Sequence, residues 1–162
     1  SKRGVLLRNG SVMDVNRVSP LWMPVQPGNY HVAIRHRNHL GAMTAAPVAL
    51  SSTSSVIDFT ASGFAAYGNT ALNSIGTRKV LWPGDANFNG TVKYAGGAND
   101  RDVVLQVIGG GTPTNVVTNV YHGADINLDG SVKYAGSAND RDIILQTIGG
   151  SVPTATKTQQ LP

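Results

Sequence analysis

The sequence predicts a mostly β protein with short helices: a small β-sandwich over residues 1–78, then a duplicated loop–helix module over residues 79–162. Three observations lead there. The 162 residues include nine Asp and no Glu, and only 14% of the chain is charged. Long amphipathic helices lean on Glu and Lys, so that composition argues against them. Residues 1–60 alternate short β-branched and aromatic runs with Gly, Pro and Asn turn signals. Residues 84–110 return as residues 124–150, with 18 of 27 positions identical.

The elements of the first part follow in order. Asn9-Gly10, a strong two-residue hairpin signal, separates candidate strands Gly4–Arg8 and Ser11–Val15. Pro27-Gly28 leads into a strand over Asn29–Arg37. There Tyr30, Val32, Ile34 and His36 alternate with His31, Ala33, Arg35 and Arg37, so one face is expected to be buried. Thr44–Leu50 and Val56–Thr60 complete five candidate strands, a spacing that suggests a sandwich of the immunoglobulin or prealbumin type. Such a set is either a complete five-stranded sheet or one short of an edge strand; in the second case the open edge is a pairing site for another chain. His31 and His36 fall on opposite faces of a strand, which argues against a zinc site built on them and His39.

The second part is organised by its repeat. Asp85, Asn87 and Asn89 precede Gly90; Asp125, Asn127 and Asp129 precede Gly130. This D-x-[DN]-x-[DN]-G pattern opens an EF-hand calcium loop. Ca²⁺ takes about six to eight oxygen ligands, and a curled chain brings alternate side chains onto one point. The glycine permits the sharp turn, and Thr91 or Ser131 offers a backbone carbonyl at position seven. Val92 and Val132 fall where paired loops exchange a short β-contact. No Glu closes either loop. Omitting Lys93–Ala98 puts Asn99 at position nine and Asp102 at position twelve; Asn139 and Asp142 stand equivalently in the second copy. Asp100 and Asp140 are alternatives or companions to the closing Asp. Asn99 and Asp102 also read as a helix-capping pair.

Apolar residues at 104, 105 and 108, and at 144, 145 and 148, mark short helices Asp102–Ile108 and Asp142–Ile148, each stopped by Gly-Gly. Their expected shared core is Leu105, Ile108, Leu145 and Ile148. The connector 115–121 reads as extended. Tyr94 and Tyr134 are expected either to cover their own loops or to form symmetric contact surfaces.

The loop followed by Asp at position twelve and an apolar helix resembles the calcium loops of dockerin domains, over about residues 80–150. That resemblance implies two Ca²⁺ sites and docking surfaces related by the duplication. The stretch PGNYHVAIRHRNHLGAMTA with VIDFT further on resembles segments of large secreted surface proteins of Bacteroidota-type bacteria, where it precedes a GDxNxDG unit.

Charge and motifs narrow the function. Residues 1–80 carry eight bases and two acids; residues 81–162 carry five bases and seven acids. The bases are isolated and lack a helix-turn-helix or aromatic platform, which excludes a recognisable nucleic-acid reader. No apolar run approaches the ~20 residues of a membrane-spanning helix. There is no GxSxG, HExxH, P-loop or dinucleotide fingerprint, and no Cys, so an enzyme is not expected. The expected protein is extracellular and calcium-stabilised, a structural or interaction protein. It is read as a subunit of a self-assembling surface fibre or matrix, with anchoring to a cohesin-like receptor as the alternative.

Overall fold

In a computed structural model describing residues 1–7 and 9–161, strands and turns dominate and two short helices form. The first strands are β1 (Val5–Leu6), β2 (Val12–Met13), β3 (Gly28–Tyr30), β4 (Ala33–His36), β5 (His39–Met43) and β6 (Val48–Leu50). Then come β7 (Asn73–Ile75), β8 (Arg78–Val80), β9 (Thr91–Lys93), helix α1 (Asp100–Val107) and β10 (Val116–Thr118). The series closes with β11 (Ser131–Lys133), α2 (Asp140–Thr147) and β12 (Thr156–Thr158). Among the described residues every sheet has two strands.

The chain packs as two units, one of Ser1–Tyr30 with Pro47–Ile57, the other of His31–Ala46 with Asp58–Pro162. This division does not follow the boundary drawn at residue 78. In the first unit, β1 pairs with β2 across the Asn9-Gly10 turn, where Gly10 has φ 86°. β3 pairs with β6, Asn29 opposite Ala49. No described residue of this unit is buried. Arg8, at the end of the expected first strand, lies outside the described residues.

The alternation at 29–37 does not give one strand. It breaks at His31-Val32 into β3 and β4, which belong to different units. β4 turns back through Arg37-Asn38 onto β5, with a register shift between Ile34 and His36. The expected strand over Thr44–Leu50 divides likewise: Thr44 forms a bridge to Ala66, and only Val48–Leu50 forms β6. Val56–Thr60 forms no strand; Asp58 instead accepts the Thr60 N–H and hydroxyl at 2.8 and 2.7 Å, an Asx turn. The described strands of this part therefore pair only as two-stranded ribbons. Prolines at 20, 24, 27 and 47 cannot donate to a ladder, which limits how far these ribbons extend.

The second unit has the core. Leu40 on β5 is 1% exposed and packs with Ala86, Val92, Val104, Ala124, Ile126, Val132 and Ile144. Through Leu40, β5 contributes to the same core as the repeat despite lying about 40 residues upstream. Each helix begins two residues earlier than the apolar spacing predicts, because Asn99 and Asn139 are the caps. The fully buried apolar residues of the helices are Val104 and Ile144, with Ile108, the cap that ends α1, at 3%. Leu105 and Ile148 pack at the edge, and Leu145 is not part of the cluster.

Val92 and Val132 do not pair with each other. β9 pairs with β12, Val92 opposite Lys157, and β11 pairs with β10, Val132 opposite Val117. Each loop strand is thus joined by the tail of the other repeat's helix. That crossing explains the repeated Thr-Pro-Thr and Val-Pro-Thr after the two helices: both lead into an equivalent strand. The exchange continues beyond β12, where the Gln159 N–H donates to Gly90 O at 2.8 Å and Gln159 Oε1 accepts the Gly41 N–H at 3.1 Å.

Candidate functional site: two carboxylate-rich loops

Both loops adopt the same backbone. Phe88 and Leu128 have φ 58° and 62°, Ala98 and Ala138 54° and 53°, and Gly90 and Gly130 81° and 83°. A non-glycine residue in the left-handed region costs roughly 1–2 kcal/mol. It recurs at matched positions of the two copies, beside hydrogen bonds that close the turn.

Those bonds come from the side chains the sequence singles out. In the first loop, Asp85 Oδ1 accepts the Asn89 N–H at 2.9 Å and Oδ2 accepts the Gly90 N–H at 2.9 Å. Asn87 Oδ1 accepts Asn89 N–H at 3.1 Å, and Asn89 Oδ1 accepts Thr91 N–H at 2.9 Å. Asp85, Asn87, Asn89 and Thr91 therefore share one turn. The second loop matches in outline: Asn127 Oδ1 accepts Asp129 N–H at 2.9 Å, and Asp129 Oδ1 accepts Ser131 N–H at 2.8 Å.

The acids at the start of the helices divide into two roles. Asn99 Oδ1 accepts the Asp102 N–H at 2.9 Å, and Asn99 Nδ2 donates to Asp102 Oδ2 at 2.8 Å. Asn139 and Asp142 repeat the arrangement at 2.9 and 2.8 Å. Asp102 and Asp142 also pair with Arg101 and Arg141 at 3.1 and 2.8 Å. These bonds, those to Asn99 and Asn139 first, hold both carboxyls below the ordinary Asp range.

Asp100 and Asp140 are instead fully buried and strapped beneath their loops. Asp100 Oδ1 accepts the N–H groups of Ala86 and Asn87 at 2.8 and 3.3 Å, and Oδ2 accepts that of Lys93 at 2.8 Å. Asp140 does the same for Ile126, Asn127 and Lys133, at 2.6, 3.2 and 2.8 Å. These straps also explain the inserted residues 93–98 and 133–138: they form a flap that returns the chain so that its acid lies under the loop opening. Burial pushes the Asp100 carboxyl up to about 6 and raises those of Asp140 and Asp85, the neighbouring loop Asp adding to the rise at Asp100 and Asp140.

The first loop thus buries two acids, Asp85 (2% exposed) and Asp100 (0%), with no cationic partner among the described residues. In the second loop Asp125 is also 2% exposed, and its Oδ1 has no hydrogen-bond partner among the described residues. Burying a carboxylate without a counter-charge costs several kcal/mol, which the backbone N–H groups bonded to it offset in part. A hard cation would supply the counter-charge that Asp85 and Asp100 lack in the first loop, and a partner for the orphaned Asp125 Oδ1 in the second. Among the described residues no group of three or more His, Asp or Glu side chains is placed to hold a metal ion; amide and backbone oxygens make up most of the candidate donors.

One residue of this site has no signal in the repeat. Arg37, between β4 and β5, places Nη2 3.3 Å from Asp125 Oδ2, donates from Nε to His122 O at 3.1 Å and lies 4.0 Å from the Tyr121 ring centre. In the strand alternation Arg37 shares a face with His31, Ala33 and Arg35; the folded hairpin brings it to Asp125. Tyr94 and Tyr134 are half-buried against the core, with Arg101 and Arg141 5.2 and 5.0 Å from the respective ring centres. They cover the repeat and do not project from it.

Compared with family models, curated proteins and solved structures, the chain matches none. No helix of the described residues is long and apolar enough to cross a membrane.

Proposed function

We propose that each loop holds one Ca²⁺ and that the ions brace a structural, extracellular interaction protein. The observation that bears most weight is the pair of buried carboxylates at each loop, without a cationic partner in the first among the described residues. Asp85, Asn87, Asn89 and the Thr91 carbonyl would hold one ion; Asp125, Asn127, Asp129 and the Ser131 carbonyl the other. Asp100 and Asp140 complete the negative charge from beneath. Asn99, Asp102, Asn139 and Asp142 fix the helix starts and with them the position of those acids. Extracellular calcium suits such loops, since extracellular modules bind at about 10⁻⁴–10⁻³ M. The loop sequence and the short helix that follows it keep the dockerin resemblance as a working description of the module.

Assembly with other copies is the function this reading favours. The first unit buries none of its described residues and exposes Val15 (65%), Val18 (80%), Trp22 (67%) and Val56 (93%). Two-stranded ribbons without a buried face are marginal alone, and a further strand or apolar surface is what they lack. Strand completion by a second copy supplies both.

Thermal unfolding with calcium and with chelator tests the first claim. A site binding only the folded state, at 100 times its Kd, adds about 2.7 kcal/mol, so a clear rise in Tm is expected; an unchanged Tm would sink the calcium reading. Sedimentation and electron microscopy of the calcium-loaded protein test the second. Ordered polymers support assembly. A persistent monomer that binds a cohesin-type receptor only with calcium would replace assembly with anchoring.

A further inference from the structure

The duplicated loops differ at one charged position. Loop position five is Asn89 in the first copy and Asp129 in the second. Ca²⁺ affinity of such loops is tuned by the number of charged ligands, so the second copy on its own would bind the more tightly. The loops differ also in what reaches them from outside the repeat. Arg37 is bonded to Asp125, the first residue of the second loop, and its side chain is only 19% exposed. Asp85 has no such partner among the described residues.

From this calcium reading we infer that Arg37 is an affinity-setting residue of the second loop, its positive charge offsetting the additional carboxylate of Asp129. Setting aside Asp102 with Arg101 and Asp142 with Arg141, the first loop has the acids Asp85 and Asp100. The second has Asp125, Asp129 and Asp140, and Arg37 returns it to the same net charge. Arg37 is held too firmly for a chance surface pair: it also donates to His122 O and stacks on Tyr121. It bonds Asp125 through Oδ2, which also accepts the Gly130 N–H at 3.2 Å, and leaves Oδ1 buried and unpartnered. One oxygen is anchored and the other is left for a cation. The guanidinium orients the carboxylate and also repels the divalent ion that this carboxylate attracts.

The test follows the backbone amides of Gly90 and Gly130 by NMR during calcium titration of the full chain, each amide reporting its own loop. In wild type the two midpoints should agree within a few-fold. In Arg37→Met the Gly130 midpoint should fall about tenfold, the effect of removing one nearby charge at an effective dielectric between those of water and protein surface. Gly90 should not move. Arg37→Lys, which keeps the charge but loses the fork, should stay near wild type. Asp129→Asn copies the residue of the first loop and should raise the Gly130 midpoint about tenfold, a readout independent of how well the Arg37 variants fold. Unchanged or weakened Gly130 binding in Arg37→Met, or a parallel shift of both amides, would overturn the role of Arg37 and leave calcium binding intact. Wild-type amides that ignore calcium would overturn both.

Discussion

His39, at the start of β5, is the residue whose behaviour the fold changes most. Its Nδ1 lies 2.8 Å from Asn38 Oδ1 and 3.0 Å from His36 Nδ1, and the two rings meet edge to face at 4.7 Å. Burial, then the charges of His36 and Arg37, push its pKa down to about 3. Above pH 6.5 both folded and unfolded states hold the ring neutral, and the native state suffers no penalty. As pH falls from about 6.5 toward 3 the unfolded state gains a proton that the native state refuses, so stability is lost at up to about 1.4 kcal/mol per pH unit. Urea unfolding at pH 7 and pH 5 should show about 2 kcal/mol more acid loss in wild type than in His39→Gln. Equal losses would refute it. The stretch 29–39 shows three of the four histidines and an alternation; it does not show that His36 and His39 face each other across a tight turn.

At the scale of elements, the helices were legible and their starts were displaced. Asn99 and Asn139 are caps with φ −78° and −84°, and their side chains hold the N–H groups of Asp102 and Asp142. An eight-residue helix is too short to be stable alone, so its cap has a large share in its formation. Asn99→Ala should cost about 1 kcal/mol, and Asn139→Ala a similar amount, measured by denaturant unfolding with calcium present. A cost near zero in either copy would mean that core packing alone fixes that helix. The crossing of β9 with β12 and of β10 with β11 was not legible. Three-residue strands carry too little pattern to choose a partner, and the choice is made by Val92 and Val132, both 0% exposed, which need cover from the core. β5 escaped notice for a related reason. Leu40, Gly41, Ala42 and Met43 are all buried, so both faces are covered and period-two alternation vanishes.

For the whole molecule, the decisive contrast is between a unit with a core and a unit without one. Burial and backbone protection go together, since local opening is cheap where few apolar contacts must break. In amide hydrogen exchange, Val92, Val104, Val132 and Ile144 should be the slowest sites, whereas β1, β2, β3 and β6 should exchange orders of magnitude faster in the isolated protein. Under assembling conditions the protection of β1, β2, β3 and β6 should rise. Slow exchange there in a dilute monomer would show that this unit needs no partner, and would count against strand completion.

The sequence by itself determined the duplication, the two turns rich in Asp and Asn, the helix that follows each and the prevalence of strand. These are local or repeated features: the spacing of Asp and Asn, a cap and a glycine turn are written within a few residues, and a copy makes them visible. The tertiary structure decided which acids lie under the loops, which strand covers which valine, that the β4–β5 hairpin shares the core of the repeat, and that Arg37 reaches Asp125. Each of those joins residues distant along the chain. They are fixed by burying apolar surface and pairing buried charge at once, a condition imposed by the folded core and not by any single stretch of sequence.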